Sequence, residues 1–414
     1  MTGSRRRQAG EGTISEYRTA AGTRYLIKVT VTMADGTRKP VLRRGFTTRK
    51  AAAAGIRDLL AKGEAPGGYS EPSKITVGQY LAEWLDGLRL APSTMASYRK
   101  NARLHLEPRI GTVRLAALTG SRLSALYRSL EADGRADGSG GLSARTVRYV
   151  AMIVHKAMKD AVRQGLIPVN PADVADPPSA KDARPPEMVT WSAAELGTFL
   201  GWAEQHADPE QRTAWLVLVA TGMRRGELLA LRWRDVDLDA GAISVRRSVG
   251  TIKVKGQPQQ QVEGPTKTGR ARVVDIDPAT AALLRSHRTR RAGLAFQLGA
   301  QDALAFGDLE GRHRLPESVS RSFRESVARC IRWQLAEAAK SVAPTQVHTL
   351  PVIHLHSLRH TSATLQLVAG VHPKIVQERL GHQTISITLD TYSHALPTMQ
   401  REAATALGAL IHGG

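Results

Sequence analysis

Two stretches rich in proline and glycine prevent this chain from folding as one continuous domain. The longer one, PADVADPPSAKDARPP, places five prolines between Pro171 and Pro186, a composition that favours a stiff and exposed connector. The other, EAPGGYSEPS at 64–73, is typical of a linker. A length of 414 residues suits two or three domains, so we expect a multidomain protein. The predicted segments are 1–66, 74–174, a linker at 175–187, and 188–414.

The first segment predicts a small β-sheet followed by a helix. RYLIKVTVTM alternates apolar with polar residues at period two, which indicates a strand. The turn signal Asp35-Gly36 follows, and KPVLRRGF can return as the partner strand. TTRKAAAAGIRDLLAK then predicts a helix that either Thr47 or Thr48 caps.

The second segment, residues 74–174, predicts helices only. TVGQYLAEWLDGL and SARTVRYVAMIVHKAMKDAVRQGLI both repeat apolar residues at helical spacing. Gly165 and Pro168 end the second of these helices. Apolar stripes of this kind are more simply core than binding site, so the segment is expected to be an all-α domain.

The charge of the chain predicts a polyanionic partner. Lys and Arg number 58 against 37 Asp and Glu, which gives a formal net charge of +21 at pH 7. A chain this basic usually meets nucleic acid, with an acidic membrane surface as the alternative. Basic residues of the sheet and of the later helix could lie against DNA phosphates, although a solvated surface would look the same. These candidates are Arg24, Lys28, Arg38, Lys39, Arg43 and Arg44 in the sheet, and Arg145, Arg148, Lys156 and Lys159 on the helix.

Cysteine usage and hydropathy indicate the compartment. Cys330 is the only cysteine, which excludes disulfides and cysteine-based zinc fingers within the chain and favours a reducing environment. The basic cluster in residues 1–12 has no apolar core behind it, so we expect no signal peptide. No run approaches the ~18 apolar residues of a membrane span. We therefore expect a cytoplasmic protein.

The third segment opens with a predicted helix whose capping box is Ser192 and Glu195. Within ATGMRRGELLALRWRDVDL, Gly222 ends an apolar helix and a new helix begins near Arg225. Glu227 comes three residues after Arg224, so its carboxylate can hold that guanidinium. A pair of this kind is more often a surface salt bridge than part of a site.

Further along, ISVRRSVGTIKVK and VEGPTKTGRARVVDID predict a long hairpin or a three-stranded sheet. Lys267 falls in or beside a turn at Thr268 and Gly269, where a lysine is usually solvent-exposed decoration.

Two helices follow the predicted sheet. HSLRHTSATLQLVAG predicts a helix with Leu358, Leu365 and Val368 facing inward. His356 and Arg359 are three residues apart and share one face of it. KIVQERLGH predicts a second helix that ends at Gly381.

Tyr392 is distinguished by the positions of the other tyrosines in the chain. Of eight tyrosines, it is the only one after residue 188. If the third segment needs a phenolic nucleophile, the segment offers no second candidate.

These residues resemble a known family. TGMRRGEL, PTKTG, HSLRH, LGH and TYSH occur in the order found in tyrosine recombinases of the phage-integrase type. The resemblance is strongest over about 190–400 and looser over the helical segment, and the first segment looks like the arm-binding domain of many integrases. It implies a small β-sheet-plus-helix N-terminal domain, an all-α core-binding domain and a mixed α+β catalytic domain that carries a C-terminal helix.

The resemblance also implies the site. In the family the first arginine follows Thr-Gly-x, which selects Arg224 rather than Arg225, and the supporting acid matches Glu227. The nucleophile matches Tyr392. The residues implied as catalytic are Arg224, Lys267, His356, Arg359, His382 and Tyr392.

A protein of this family cleaves and rejoins DNA through a 3′-phosphotyrosine, and so integrates and excises a phage or integrative element at attachment sites. The resemblance implies no cofactor and no metal. The implied partners are double-stranded DNA with core-type and arm-type sites, a homotetramer on synapsed DNA, an excisionase and a host DNA-bending protein. The segment after Tyr392 suits a short helix that offers Ala404, Leu407 and Ile411 to a neighbouring protomer.

Three other interpretations remain open on the sequence alone. His354, His356 and His360 could bind a metal in a hydrolase, but no nearby Asp or Glu completes the set and Arg359 would repel a cation. A DNA-binding regulator could use VHPKIVQERLGHQTISI as a helix-turn-helix, although such a protein needs no nucleophile. A type IB topoisomerase shares the phosphotyrosine step, but the arm-like first segment favours integration. His354 and His360 are otherwise expected to be packing residues.

Overall fold

Three antiparallel strands begin the described part of the chain: β1 (Thr13–Thr19), β2 (Gly22–Thr32) and β3 (Arg38–Phe46), in the order β1-β2-β3. Helix α1 (Arg49–Glu64) follows, and the hydroxyl of Thr48 caps it by accepting from the backbone N–H of Ala51 at 3.1 Å. The expected strand pair and helix are confirmed. Strand β1 was not anticipated, because TISEYRT carries only two apolar residues and lacks a clear alternation.

Alternation along β2 explains why this sheet needs α1. Ile27, Val29 and Val31 are buried on one face, and the helix covers them with Ala52 and Leu59. The side chains between them on β2 point to the other face, where no apolar layer is required. Of the predicted turn, Gly36 has φ +77°, and Asp35 lies outside the described residues.

The structure is a computed structural model. It describes residues 12–33, 36–65, 74–184, 188–252, 256, 258–340, 348–386, 389, 404–405 and 407–412. The chain forms two compact units. One draws on Met1–Arg89 and Ser97–Arg184, and the other on Leu90–Ala96 and Pro185–Gly414.

Helices make up the later part of the first unit, as expected. They are α2 (Val77–Gly87), α3 (Pro92–Asn101, which belongs to this unit from Ser97 on), a π-helical stretch (Ala102–Leu106) that runs into α4 (Glu107–Ile110), α5 (Gly120–Asp133), α6 (Ala144–Arg163), and the short 3-10 turns Leu115–Ala117 and Pro171–Val174.

Helices α2 and α6 are joined by polar groups of buried aromatics. The hydroxyl of Tyr80 donates to the carbonyl oxygen of Ala157 at 2.7 Å, and the indole N–H of Trp84 donates to the Asp160 carboxylate at 2.9 Å. Burying these two aromatic side chains brings most of the stabilisation, while their polar ends fix which residues of α6 they meet.

The connector predicted from Pro171 is exposed or half-buried over its described residues, except at the first one. Pro171 is buried in a 3-10 turn. The guanidinium of Arg148 donates to the carbonyl oxygen of Pro178 at 2.6 Å, and the N–H of Asp176 donates to the Ser124 hydroxyl at 2.9 Å. Proline stiffens the backbone but leaves its carbonyl able to accept, so the segment is tied to the helices. The boundaries of the linker at 175–187 stay a prediction.

The second unit mixes helices with short strands. Its helices are α7 (Ala193–His206), α8 (Pro209–Thr221), α9 (Arg225–Leu229), α10 (Pro278–Leu294), α11 (Pro316–Ala338), α12 (Ser357–Val368) and α13 (Pro373–Leu380). Its strands are β4 (Val236–Asp237), β5 (Ala242–Val245), β6 (Arg247–Ile252), β7 (Gln260–Pro265) and β8 (Arg272–Asp275). The predicted capping box of Ser192 and Glu195 is present at α7.

Neither predicted alternative, the long hairpin or the three-stranded sheet, describes residues 243–277 fully, because their described part contributes four strands to two sheets. Strands β6 and β7 pair as a hairpin, while β5 and β8 pair in a separate sheet of order β4-β5-β8. The sequence did not reveal β4, because two residues are too few to show any alternation.

Aromatic side chains form the centre of the second unit. The rings of Trp191, Phe199, Trp215 and Phe323 lie 4.9–6.0 Å apart and are almost fully buried. Helix α12 adds Leu358 to this core, but Val368 at its other end is 54% exposed. The prediction that Val368 faces inward is wrong, because the inward face of the last turn carries Leu367, which is fully buried against Val376 and Leu380 of α13.

Gly222 ends α8 with a left-handed backbone, at φ +62°. A Cβ built there would lie 2.5 Å from Cδ2 of Leu380 on α13. The position therefore requires glycine twice, for its backbone angle and for the close approach of the next helix.

Two further features concern the periphery. None of the helices in the described ranges combines the length and the apolar character that crossing a membrane requires. Residues 404–405 and 407–412 are helical, and Ala404, Leu407 and Ile411 are exposed.

We expect Gly222→Ala to lower the free energy of unfolding by about 2 to 4 kcal/mol, because it combines left-handed strain with overpacking against Leu380. Gly197 lies inside α7, and a Cβ built on it would have no neighbour within 4 Å. As the matched control, Gly197→Ala should raise the free energy of unfolding by about 0.5 to 1 kcal/mol. Urea unfolding followed by tryptophan fluorescence measures both, and equal effects would contradict the assignment.

Candidate active site

Arg224 lies at the N-terminal end of α9 and donates two hydrogen bonds to Glu227. The backbone N–H of Arg224 donates to Oε2 of Glu227 at 2.9 Å, and its Nη1 donates to Oε1 at 2.9 Å. Glu227 is only 1% exposed, while the Arg224 side chain keeps 23% of its surface accessible. The prediction that Glu227 can hold this guanidinium is confirmed, and the pair is no ordinary surface salt bridge.

The side chain of the neighbouring Arg225 contacts α11 and not Glu227. Its Nη1 donates to the hydroxyl of Ser320 at 2.7 Å, and its Nη2 lies 3.8 Å from the carboxylate of Glu317, both on α11. The two adjacent arginines therefore serve different surroundings. This geometry favours Arg224 over Arg225 as the site arginine.

Arg359 is hydrogen-bonded to the backbone of Gly222, which lies two residues before Arg224 in the sequence. It lies on α12, is 3% exposed, and its Nη1 donates to the carbonyl oxygen of Gly222 at 2.6 Å. That carbonyl belongs to the end of α8, where helix carbonyls lack intrahelical donors and carry partial negative charge. The bond brings together two arginines that are far apart in the sequence.

His356 lies at the start of α12, one turn before Arg359. Its side chain keeps an exposed edge, yet desolvation by the surrounding protein, followed by the charges of Arg359 and Arg224, lowers its pKa. The charge of Lys267 contributes in the same direction. His356 also meets His360 edge-on, with ring centroids 5.0 Å apart and an interplanar angle of 86°.

His382 follows the left-handed residue Gly381, at φ +68°, which ends α13 as predicted. Burial, then the charges of Arg359 and Arg224, lower the pKa of His382 to about 4. An imidazole with such a pKa is neutral at pH 7 and can donate from one ring nitrogen while accepting at the other.

Lys267 is exposed on the turn between β7 and β8, as predicted. The N–H of Gly269 donates to the carbonyl oxygen of Thr266 at 2.8 Å and closes the turn. Thr266 is buried, and its hydroxyl donates to the carbonyl oxygen of Arg270 at 2.8 Å. These hydrogen bonds hold the turn in a defined conformation, and the ammonium group of Lys267 is exposed on it.

Tyr392 lies outside the described residues. Of the other predicted site residues, Arg359, Arg224 and Lys267 contribute to the lowered pKa of His356, and Arg359 and Arg224 contribute to that of His382.

Sequence reasoning missed Arg272. Its Nη2 and Nη1 donate to the two oxygens of Glu227 at 2.7 and 3.2 Å, and its Nε donates to the carbonyl oxygen of Arg379 at 2.8 Å. In KTGRAR nothing distinguishes it from exposed Arg270. The alternation of β8 gave no clue either, because both arginines are in phase with buried Val274, and only the structure shows that the strand begins at Arg272.

The basic residues predicted in the sheet divide between its faces. Cross-strand partners share a face, so Lys39 and Arg43, which pair with Val31 and Ile27, lie on the side of α1. The other four lie on the opposite face of the sheet. These are Arg24, Lys28, Arg38 and Arg44.

The predicted basic face of α6 is also divided. Arg145 and Lys159 are exposed, whereas Arg148 is bound to Pro178 and the ammonium of Lys156 lies 5.8 Å from the ring centroid of Tyr98. Arg145 and Arg148 line a groove of about 990 Å³. Lys100 and Arg135 also line it, and the sequence analysis had not singled them out.

The histidine cluster does not form a metal site with acidic residues. Within the described ranges, no three His, Cys, Asp or Glu side chains stand together in a way that could hold an ion. His354 is exposed, and His360 contacts His356 by its ring rather than by a shared ligand position.

Taken together, the geometry suits an anionic group with several oxygens. Two anchored guanidiniums supply fixed donors, an exposed ammonium supplies a mobile proton, and two imidazoles with lowered pKa values supply neutral hydrogen-bonding groups. A phosphodiester has this charge and this set of acceptors.

Known proteins resemble this chain over most of its length. The model of the phage integrase family matches residues 192–399. A XerC-like tyrosine recombinase of Caldanaerobacter subterraneus subsp. tengcongensis is 24% identical over 397 residues, which cover 92% of this chain and 96% of that protein.

Two solved structures share the fold. The Tn1549 transposon integrase in complex with a circular intermediate DNA superposes with a TM-score of 0.61 at 21% identity, covering 80% of this chain and 99% of that one. The lambda integrase tetramer bound to a Holliday junction superposes with a TM-score of 0.51 at 16% identity, covering 89% and 95%.

We expect His360 and His382 to remain neutral until the pH approaches about 4, because burial lowers both pKa values to about 4. Their unfolded-state pKa is near the ordinary 6.5. Between those two pH values the unfolded chain binds more protons, so acidification through this window lowers the free energy of unfolding.

Proton-detected titration of ¹³C-histidine-labelled protein measures the ring resonances, with His360→Asn and His382→Asn used to assign them. A midpoint near the ordinary histidine value for both residues would contradict the prediction.

Proposed function

Because the chain belongs to the phage integrase family, it is a tyrosine-type site-specific DNA recombinase, and we propose that Tyr392 is its nucleophile. It acts on attachment sites of a phage or an integrative element. One observation carries the assignment of the site. Arg224 and Arg359 converge at the end of α8, within the electrostatic reach of His356 and His382.

The proposed chemistry begins at the scissile phosphodiester. Arg224 and Arg359 bind its non-bridging oxygens and neutralise the charge that grows in the pentavalent transition state. The phenolic oxygen of Tyr392 attacks phosphorus, the bond to the 5′ oxygen breaks, and a 3′-phosphotyrosine forms.

Two proton transfers accompany this exchange. Lys267 donates a proton to the leaving 5′ oxygen, for which an exposed position on a turn is suitable. His356 accepts the proton of Tyr392 or bonds a phosphate oxygen, and its lowered pKa keeps it neutral for either role. His382 donates a further hydrogen bond to the same phosphate.

Rejoining reverses these steps. The 5′ hydroxyl of the partner strand attacks the phosphotyrosine, takes the DNA 3′ phosphate and returns the phenol. Both steps exchange one phosphoester for another, so the reaction as proposed needs neither a nucleotide cofactor nor a metal.

We assign the other parts of the chain by the same proposal. Residues 1–66 form an arm-binding domain, 74–174 a separate all-α core-binding domain, 175–187 a linker, and 188–414 the catalytic domain. Supporting this, four basic residues share the face of the sheet opposite α1. Arg145 and Arg148 border the groove of the helical part together with Lys100.

The proposed partners are double-stranded DNA and three further copies of the chain. The lambda integrase, whose fold is similar, has been solved as a tetramer on a Holliday junction, which supports the same assembly here. An excisionase and a host DNA-bending protein complete the proposal, and the cytoplasm is its compartment.

Tyr392→Phe should abolish covalent attachment to DNA, because the phenolic oxygen is the only group proposed to bond phosphorus. The measurement is a nicked suicide attachment-site substrate, incubated without divalent metal and analysed for a protein–DNA adduct. Tyr25→Phe, in the N-terminal sheet, is the matched control and should form the adduct normally. An adduct that survives in Tyr392→Phe would sink the assignment.

Removing the residues after about 397 should impair synapsis more than DNA binding. The exposed side chains of Leu407, Leu410 and Ile411 offer apolar surface on a helical segment, and a neighbouring protomer is its proposed occupant. Mobility-shift assays separate single-site complexes from synaptic ones, and recombination is measured in parallel. Unchanged recombination by the truncated protein would refute the role.

A further inference from the structure

The Glu227 carboxylate accepts four hydrogen bonds from two arginines. Oε1 accepts from Nη1 of Arg224 at 2.9 Å and from Nη1 of Arg272 at 3.2 Å. Oε2 accepts from the backbone N–H of Arg224 at 2.9 Å and from Nη2 of Arg272 at 2.7 Å. A carboxylate offers about four lone-pair positions, so Arg224 and Arg272 together occupy all of them.

This arrangement determines the net charge of the group formed by Arg224, Glu227 and Arg272, and so its attraction for a phosphate. Burial alone would raise the pKa of Glu227, but hydrogen bonds and charge from Arg272, followed by those of Arg224, hold that pKa below its ordinary value. If Arg224 were the only partner, the pair would carry no net charge. With Arg272 included the group carries one positive charge, so Glu227 can orient Arg224 without cancelling its attraction for an anion.

Arg272 has a second contact at the end of α13. Its Nε donates to the carbonyl oxygen of Arg379 at 2.8 Å. The guanidinium of Arg379 in turn donates to the carbonyl oxygens of Ala220 at 2.9 Å and Asp275 at 3.1 Å. The end of α13 is thereby tied to α8 and to β8.

The chain then turns directly into His382. A Cβ built on Gly381 would lie 3.1 Å from both Cδ and Nη1 of Arg272. The backbone that presents His382 therefore lies against the same guanidinium that holds Glu227. One side chain sets the position of two groups that approach the anion from different helices.

We propose that Arg272 is a positioning residue that orients Arg224 through Glu227 and places His382 through the end of α13. The inference rests on the proposed function, in which Arg224 and His382 bind the scissile phosphate. Arg272 itself makes no contact with the substrate in this proposal.

Lysine cannot reproduce these contacts. A guanidinium presents five N–H donors in a rigid plane, whereas an ammonium is a single point charge. Arg272→Lys keeps the charge but cannot reach both carboxylate oxygens and the carbonyl of Arg379 together. Arg270→Lys is the matched control, because Arg270 is two residues away and exposed.

The first measurement is the rate of Tyr392–DNA adduct formation on the suicide substrate. Arg272→Lys should lower it about 100-fold, as expected for the loss of a pre-organised donor to the transition state. The dissociation constant for DNA should change by less than about threefold, because no phosphate contact is lost. Arg270→Lys should leave both quantities near their wild-type values.

The second measurement separates positioning from a loss of structure. A methylphosphonate at the scissile position removes the negative charge that Arg224 is proposed to neutralise. The defect of Arg272→Lys should shrink by about tenfold on this substrate, since less charge remains to be stabilised. In a Glu227→Gln background the same substitution should also cost less, because the two residues act as one unit.

Several results would overturn the inference. They are wild-type cleavage by Arg272→Lys, an equal defect on phosphate and methylphosphonate substrates, and a full defect in the Glu227→Gln background. Arg272→Gln is the second variant, and loss of folding in both variants would assign Arg272 to stability alone. Failure of the proposed function looks different, because wild-type protein would then form no adduct through Tyr392.

Discussion

The arrangement of the site depends on the hydrogen bonds that the buried carboxylate of Glu227 accepts from Arg224 and Arg272. A charge in the interior is costly unless it is paired and fully hydrogen-bonded, and here Arg224 and Arg272 supply both conditions. Because the two cations outnumber the one anion, the cluster retains positive charge. The same bonds that make burial tolerable also fix the orientation of Arg224.

The end of α8 is the second fixed point. Gly222 adopts a left-handed backbone there, which leaves its carbonyl directed at Arg359 of α12. Leu380 of α13 packs so closely that a side chain at position 222 would collide with it. The glycine therefore lets α12 and α13 approach the end of α8, two residues before Arg224 at the N-terminal end of α9.

Much of this could be predicted from the sequence, and the failures have physical causes. Caps at Thr48, Ser192 and Gly381 were predictable because they depend on bonds within a few residues. Burial of Val368 was predicted wrongly, since two apolar residues stand side by side and only the packing of α13 shows that Leu367 is the buried one. Strand pairing placed Lys39 and Arg43 on the side of α1, and no count of basic residues contains that information.

The sequence by itself determined the local elements, the motifs and the kind of chemistry, because these follow from residue types at short spacing. It also distinguished Arg224 from Arg225 by resemblance to a family. Only the tertiary structure decided which distant residues share a charge. Arg272 looked like any basic residue on a turn, yet its hydrogen bonds to Glu227 and to the carbonyl of Arg379 join segments 45 and 107 residues away. Such contacts arise from the packing of strands and helices, and a linear pattern does not encode them in any readable form.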